Sequence, residues 1–156
     1  MRRSDREVTG LNNILSIAKN GDTIILAFND KDFPYILPVN YGCELKDNNL
    51  YFYFHGALEG NKYKYIYNGA RVSFEIDCNH KLVTGKSNCS FSMKYESLIG
   101  RGIIYEIKEY EEVTNALNCI MKQYTDSYSR QYDEGSLKKV KVFKIEVISI
   151  TGKSNI

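Results

Sequence analysis

The sequence predicts a mainly β protein: a six-stranded antiparallel barrel with helices packed at its ends. Three observations predict it. Apolar and polar residues alternate through much of the chain, as in half-buried strands. Short clusters of turn-forming residues separate these runs, which favours antiparallel pairing. Few stretches repeat with the helical period, too few for a doubly wound sheet.

Leu11, Ile14, Leu15 and Ala18 fall at i, i+3, i+4 and i+7, which predicts an amphipathic helix ended by Asn20-Gly21. Ser4 and Glu7 have capping-box spacing just upstream. Residues 22–29 put Ile24, Leu26 and Phe28 on one face of a strand, and Asn29-Asp30-Lys31-Asp32 turns the chain. Residues 33–43 read as the next strand; Pro34 and Pro38 place it at an edge or a bulge, since proline cannot donate to a ladder. Asp47-Asn48-Asn49 turns again. Leu50, Phe52 and Phe54 then alternate with Tyr51, Tyr53 and His55, the clearest strand pattern in the chain.

Tyr63, Ile66 and Tyr67 predict a helix over 59–67, stopped by Asn68-Gly69. Ala70, Val72, Phe74, Ile76 and Cys78 share one side of a strand, and a polar loop follows over 79–89. A long strand is predicted over 90–107, bent at Gly100 and Gly102. Val113, Ala116, Leu117, Ile120, Met121 and Tyr124 form the strongest helical stripe. A polar segment, 125–137, leads to a last strand over 139–150. No repeat or linker interrupts this order, so residues 1–156 are expected to form a single domain.

Composition narrows the function. A net charge of +2 gives no basis for nucleic-acid binding. The basic cluster Lys138, Lys139 and Lys141 reads as a solvated loop or strand end. No apolar run is long enough for a membrane span, and the charged start Met1–Glu7 does not read as a signal peptide. Four cysteines (Cys43, Cys78, Cys89, Cys119) lack CxxC pairing, so reduced thiols in the cytoplasm are expected. Cys78, His80 and Cys89 match no zinc spacing, and no metal is expected. The 13 tyrosines suit strands and planar-ligand pockets alike.

Chemistry concentrates at Phe54-His55-Gly56-Ala57-Leu58-Glu59-Gly60-Asn61-Lys62. A strand ends there, two glycines allow close backbone approach, and the predicted helix opens with Lys62 in its first turn. Unpaired N–H groups and a lysine at that point make an anion site. At Pro38-Val39-Asn40-Tyr41-Gly42, proline leaves backbone groups without ladder partners, able to read the polar edge of a planar ligand. His55 is a candidate for proton transfer or a hydrogen bond; His80 falls in a polar loop. No nucleophile elbow, zinc-protease motif, P-loop or dinucleotide fingerprint is present.

These segments, in order, resemble the pyridoxamine 5'-phosphate oxidase-like flavin split barrels, and most of all their Nim-type (5-nitroimidazole-resistance) branch. The resemblance is carried by Met1–Glu7, Pro34–Gly42, Leu50–Ala57, Gly60 with Lys62, Arg71–Asp77, Ser92–Gly102, and Phe143–Val147 through Thr151–Lys153. It implies a six-stranded split barrel that dimerises, with two flavin sites at the interface. It implies FMN, with FAD as the alternative, held by Pro38, Val39, Asn40 and Tyr41 along the ring edge. His55, Gly56 and Ala57 would lie near the ring or ribityl chain, and Gly60 and Lys62 at the phosphate. Tyr95 and Ser97 stand where the oxidase branch has a glutamine and an arginine that reach FMN, and the oxidase's C-terminal arginine motif is absent. The activity implied is an oxidoreductase acting on a small planar acceptor such as a nitroimidazole, with His55 the catalytic side chain. A flavin- or haem-binding module without turnover is the alternative.

Overall fold

The computed structural model describes residues 3–129 and 131–156. Its strands are β1 (Glu7–Val8), β2 (Ile24–Phe28), β3 (Tyr35–Val39), β4 (Gly42–Lys46), β5 (Asn49–Ala57), β6 (Ala70–Val83), β7 (Ser92–Ile107) and β8 (Val140–Ser154). Its helices are α1 (Leu11–Asn20), α2 (Tyr110–Tyr124) and α3 (Glu134–Leu137). The strands form one eight-stranded sheet in the order β3-β2-β6-β7-β8-β5-β4, with β1 added against β8. Every pairing is antiparallel.

The two ends of that order, β3 and β4, are consecutive in the chain and joined only by Asn40 and Tyr41. A sheet whose outermost strands are tied so closely must curl until its edges meet. No ladder links β3 to β4, so the barrel keeps a slit along that seam. The strand expected over 33–43 is therefore two strands, and the two-residue β1 accounts for the rest of the difference from six. Pro38 offers no N–H to the edge. At Tyr41 the chain dives into the core, where its phenol is fully buried and donates to the Ala18 carbonyl at 2.5 Å. The Tyr41 N–H donates to Tyr124 Oη at 2.9 Å, and that hydroxyl donates onward to the Asp22 carbonyl at 2.8 Å. Tyr124, from the last turn of α2, thus clasps the kink.

The barrel interior is filled by the inward faces of all the long strands: Leu26, Phe52, Phe54, Phe74, Ile76, Leu98, Ile104 and Ile145 are buried. Phe52 meets Phe74 edge-on at 5.1 Å, and Phe54 stacks on Phe143 at 5.1 Å. Each such side chain stabilises the fold by ~1.5–3 kcal/mol. α1 buries Ile14, Ile17 and Ala18 against this core. α2 buries Ala116, Leu117 and Ile120 on a second cluster outside the barrel, with Tyr53, Ile107 and Val142. It lies so close to β4 that a Cβ on Gly42 would sit 2.3 Å from the Cys119 backbone.

Other sequence expectations change in detail. The helix expected over 59–67 is a single 3-10 turn, Asn61–Lys64, entered through Gly60 at φ 148°. Its periodic residues pack individually: Ile66 is buried in the barrel core, while Tyr67 is exposed. The loop expected over 79–89 is shorter, because β6 resumes after a register shift between Cys78 and Lys81 and pairs as far as Val83. The bend expected at Gly100 and Gly102 coincides with a register shift between Arg101 and Gly102. β8 runs on to Ser154, and α3 occupies the end of the segment expected to be polar loop. Among the described residues no helix is long and apolar enough to cross a membrane.

Candidate functional site

The slit has two lips. One is β3; the other is the end of β5, His55 to Ala57. Continued one step further, the register that pairs Gly42 with Tyr53 would set Asn40 opposite His55, but the ladder stops and the chain departs towards β2. Expected site residues Pro38 and Val39 end β3, with Asn40 just beyond, and His55, Gly56 and Ala57 end β5 past the last β4 pairing.

The segment after β5 bridges the lips. Tyr63 Oη donates to the Ala57 carbonyl on one side. On the other, Tyr65 stacks on Tyr35 with ring centroids 4.2 Å apart and donates to Asp30 at 2.5 Å. Gly60 and Lys62 are carried in this bridge. The Lys62 side chain folds back over β5, so that a Cβ on Gly56 would lie 2.6 Å from its ammonium nitrogen. Only a glycine lets the amine and the strand approach so closely.

A second cation stands beside the first. Lys141 is paired directly opposite Gly56 on β8, and its ammonium lies 4.5 Å from the centroid of the Tyr63 ring; that of Lys62 lies 5.3 Å from the same ring. Among the described residues neither lysine has a carboxylate within ion-pair distance. The reading of Lys141 as a solvated strand end missed this, because its partner is set by cross-strand register rather than by neighbours in sequence. The helix start expected here is absent: a four-residue 3-10 turn has no useful dipole, and what the structure puts at this point is two lysines beside a bare glycine backbone.

His55 precedes Gly56 on β5 and pairs with Val142 on β8, within reach of the Lys62 charge. Burial first, and then the Lys62 charge, hold its imidazole below its ordinary value, which favours the neutral ring. The backbone donor expected at Tyr41 is committed to Tyr124, and the Asn40 side-chain amide donates to the Asp22 carbonyl at 3.2 Å. Tyr41 is therefore part of the clasp, and its ring is fully buried.

Tyr95 and Ser97 are not in this cluster. Ser97 pairs with Lys153, twelve residues along β8 from Lys141, or about 40 Å of strand contour at ~3.3 Å per residue. There the Lys153 ammonium lies 5.2 Å from the Tyr95 ring centroid. Hydrogen bonding to Lys153, with help from Arg6, pulls the Tyr95 phenol below its usual value. Cys78, His80 and Cys89 do not converge either: the Cys78 thiol points to the Ile17 carbonyl, His80 pairs with Asp77 at 3.0 Å, and Cys89 is exposed.

A family model described as pyridoxamine 5'-phosphate oxidase matches residues 12–154, nearly the whole chain. The chain belongs to that family. Among solved structures it is similar to a candidate 5-nitroimidazole antibiotic resistance protein from Bacteroides thetaiotaomicron VPI-5482, at 33% identity over 94% of this chain and 85% of that one, with a TM-score of 0.78. It shares its fold with the FAD and haem binding protein of Mycobacterium smegmatis (13% identity, 96% and 73% covered, TM-score 0.80). It shares it also with the flavocytochrome Anf3 of Azotobacter vinelandii (13% identity, 100% and 72% covered, TM-score 0.76). No curated protein matches the sequence significantly. Within the pyridoxamine 5'-phosphate oxidase family, this member brings Gly56, Gly60, Lys62 and Lys141 together at the slit and leaves Tyr95 and Ser97 at the far end of β8.

Proposed function

We infer that the chain is a flavin-dependent oxidoreductase that grips the FMN portion of its cofactor by the phosphate, between Lys62 and Lys141. The observation that carries this is the pair of ammonium groups without a carboxylate partner, set against a strand end bared by Gly56. A phosphate dianion matches both charges. The names of similar structures support the ligand class, since they include FAD- and haem-binding proteins.

The bound flavin supplies two-electron chemistry; the protein supplies position and protons. Lys62 and Lys141 anchor one end of the molecule. Pro38 and Val39 offer an edge along the slit for the planar end. His55, at the mouth of the slit, takes up a proton and in its protonated form would deliver it to a small planar acceptor. A nitroimidazole is the acceptor suggested by the 33%-identical structure.

The working unit in this reading is a homodimer in the cytoplasm. Ile25, Ile36 and Ile99 share the outer face of the sheet by register, Ile148 joins them at the bulge, and all four are between 37% and 67% exposed. A second copy covering that face would bury apolar surface that a monomer leaves in water. It would also allow Tyr95 and Ser97 of one subunit to serve the slit of the other. The four free cysteines suit a reducing compartment.

The test is to load the protein with flavin, reduce it with a nicotinamide donor and add a nitroimidazole. Reoxidation that slows at least tenfold in His55→Gln, with flavin still bound, supports the reading. Bound flavin that no nitroimidazole reoxidises contradicts the enzyme.

A further inference from the structure

We propose that the outer face of the sheet binds a short aliphatic dicarboxylate between Arg71 and Arg101; this stands independently of the flavin reading above. Strand register brings the two arginines together. Ser73 pairs with Arg101 and Arg71 pairs with Ile103, so the arginines are diagonal neighbours on β6 and β7. Both are exposed, while Val72, Gly100 and Gly102 beside them are buried. Diagonal neighbours on one face lie ~7–8 Å apart, within reach of long side chains.

A hollow of about 270 Å³ opens at this pair. Its floor is a row of small side chains set across the sheet: Ala27 on β2 pairs with Ser73, and Ser149 on β8 pairs with Arg101. Its wall is Ile148. Arg101 pairs with Ser149 but Gly102 with Val147, which leaves Ile148 as the extra residue of a bulge, 67% exposed. Ile148 also borders the apolar face assigned above to a second copy. The lysine pair is elsewhere: Ser149 stands eight residues along β8 from Lys141, about 26 Å of strand contour at ~3.3 Å per residue.

The chemistry follows from the lining. Among the described residues no carboxylate lines the hollow, and neither arginine makes an ion pair. Glu75, two residues from Ser73 on the same strand, pairs with neither. Each guanidinium presents a planar fork that matches one carboxylate through two parallel N–H···O bonds. Two forks set apart suit two carboxylates on one chain better than a single tetrahedral anion. Ala27 and Ile148 offer its methylene groups apolar contact. A hollow below the usual ~300 Å³ of small-molecule sites keeps that chain short.

The experiment is an NMR titration of the full-length protein with succinate, acetate and inorganic phosphate at constant ionic strength. It follows the backbone amides of Ser73, Arg101 and Ser149. Succinate should shift them and bind at least tenfold more tightly than acetate or phosphate, the scale of one further charge-assisted hydrogen bond. Arg71→Gln and Arg101→Gln, both at exposed positions, should each remove that preference. No shift at these amides, acetate or phosphate binding as tightly as succinate, or a preference that survives both variants overturns the proposal. So does a change in molecular mass by light scattering in either variant, which would assign the arginines to a second copy. The amides of Gly56, Lys62 and Lys141 report on the flavin site in the same spectra, so failure of one reading is distinguishable from failure of the other.

Discussion

Replacing Lys62 by Met removes its charge while keeping most of its apolar stem over Gly56. A charge-assisted hydrogen bond to phosphate contributes ~1.5–3 kcal/mol. Lys62 is half-buried rather than enclosed, and Lys141 remains nearby, so the lower part of that range applies. The expected loss in FMN affinity is about 10- to 30-fold, at ~1.4 kcal/mol per tenfold. Gly56→Ala should act through the same contact. Its new Cβ would meet the flexible end of Lys62 at 2.6 Å and displace the amine, with the fold intact. The assay is a fluorescence titration with FMN and with riboflavin, which lacks the phosphate, at two salt concentrations. The loss should appear for FMN alone and shrink as salt rises. An unchanged FMN affinity, or an equal loss for riboflavin, would falsify the assignment of Lys62 to a phosphate.

By NMR, the His55 imidazole should titrate below 6.5 and move up towards it in Lys62→Met, since that charge is one of its two causes. Because the folded value is the lower one, the unfolded chain binds the proton more readily; stability is complete above about pH 6.5 and falls as pH drops towards the folded midpoint. His55→Gln should remove that part of the acid slope in denaturation curves. Gly42→Ala should destabilise by ~1–3 kcal/mol in urea, because its Cβ would meet α2 backbone, which cannot step aside. Phe52→Ala, at a fully buried position touching Tyr41 and Phe74, should lose ~3–5 kcal/mol. At pH 8 a thiol reagent followed by mass spectrometry should label exposed Cys89 first. Burial pushes Cys43 up to about 12, and Cys78 and Cys119 up to about 11, so these three should react only on unfolding.

Much of the fold was legible because alternation reports directly on a two-sided strand. Leu50, Phe52 and Phe54 face the core as their pattern requires, and the α2 stripe buries Ala116, Leu117 and Ile120. The helix expected over 59–67 failed because Tyr63 and Tyr65 serve long-range partners, Ala57 on one lip of the slit and Tyr35 with Asp30 on the other. Tertiary contacts outweighed a short periodic run there. The break at Asn40–Tyr41 was signalled only by Pro38, since the Tyr124 clasp joins residues 83 apart in sequence. At the site, Gly56, Gly60 and Lys62 were visible as a local motif. Lys141 was not, because only the β5–β8 register sets it against Gly56. Nor does the sequence reveal that Tyr95 and Ser97 lie a strand's length away, for that follows from how far β7 and β8 run together.

The most direct test of the central claim is the absorbance spectrum of the freshly purified protein, with mass identification of whatever acid releases. The account predicts yellow protein showing flavin bands and releasing a flavin nucleotide at about one per chain. A colourless protein that takes up neither FMN nor FAD, or one that shows a haem Soret band instead, would contradict it.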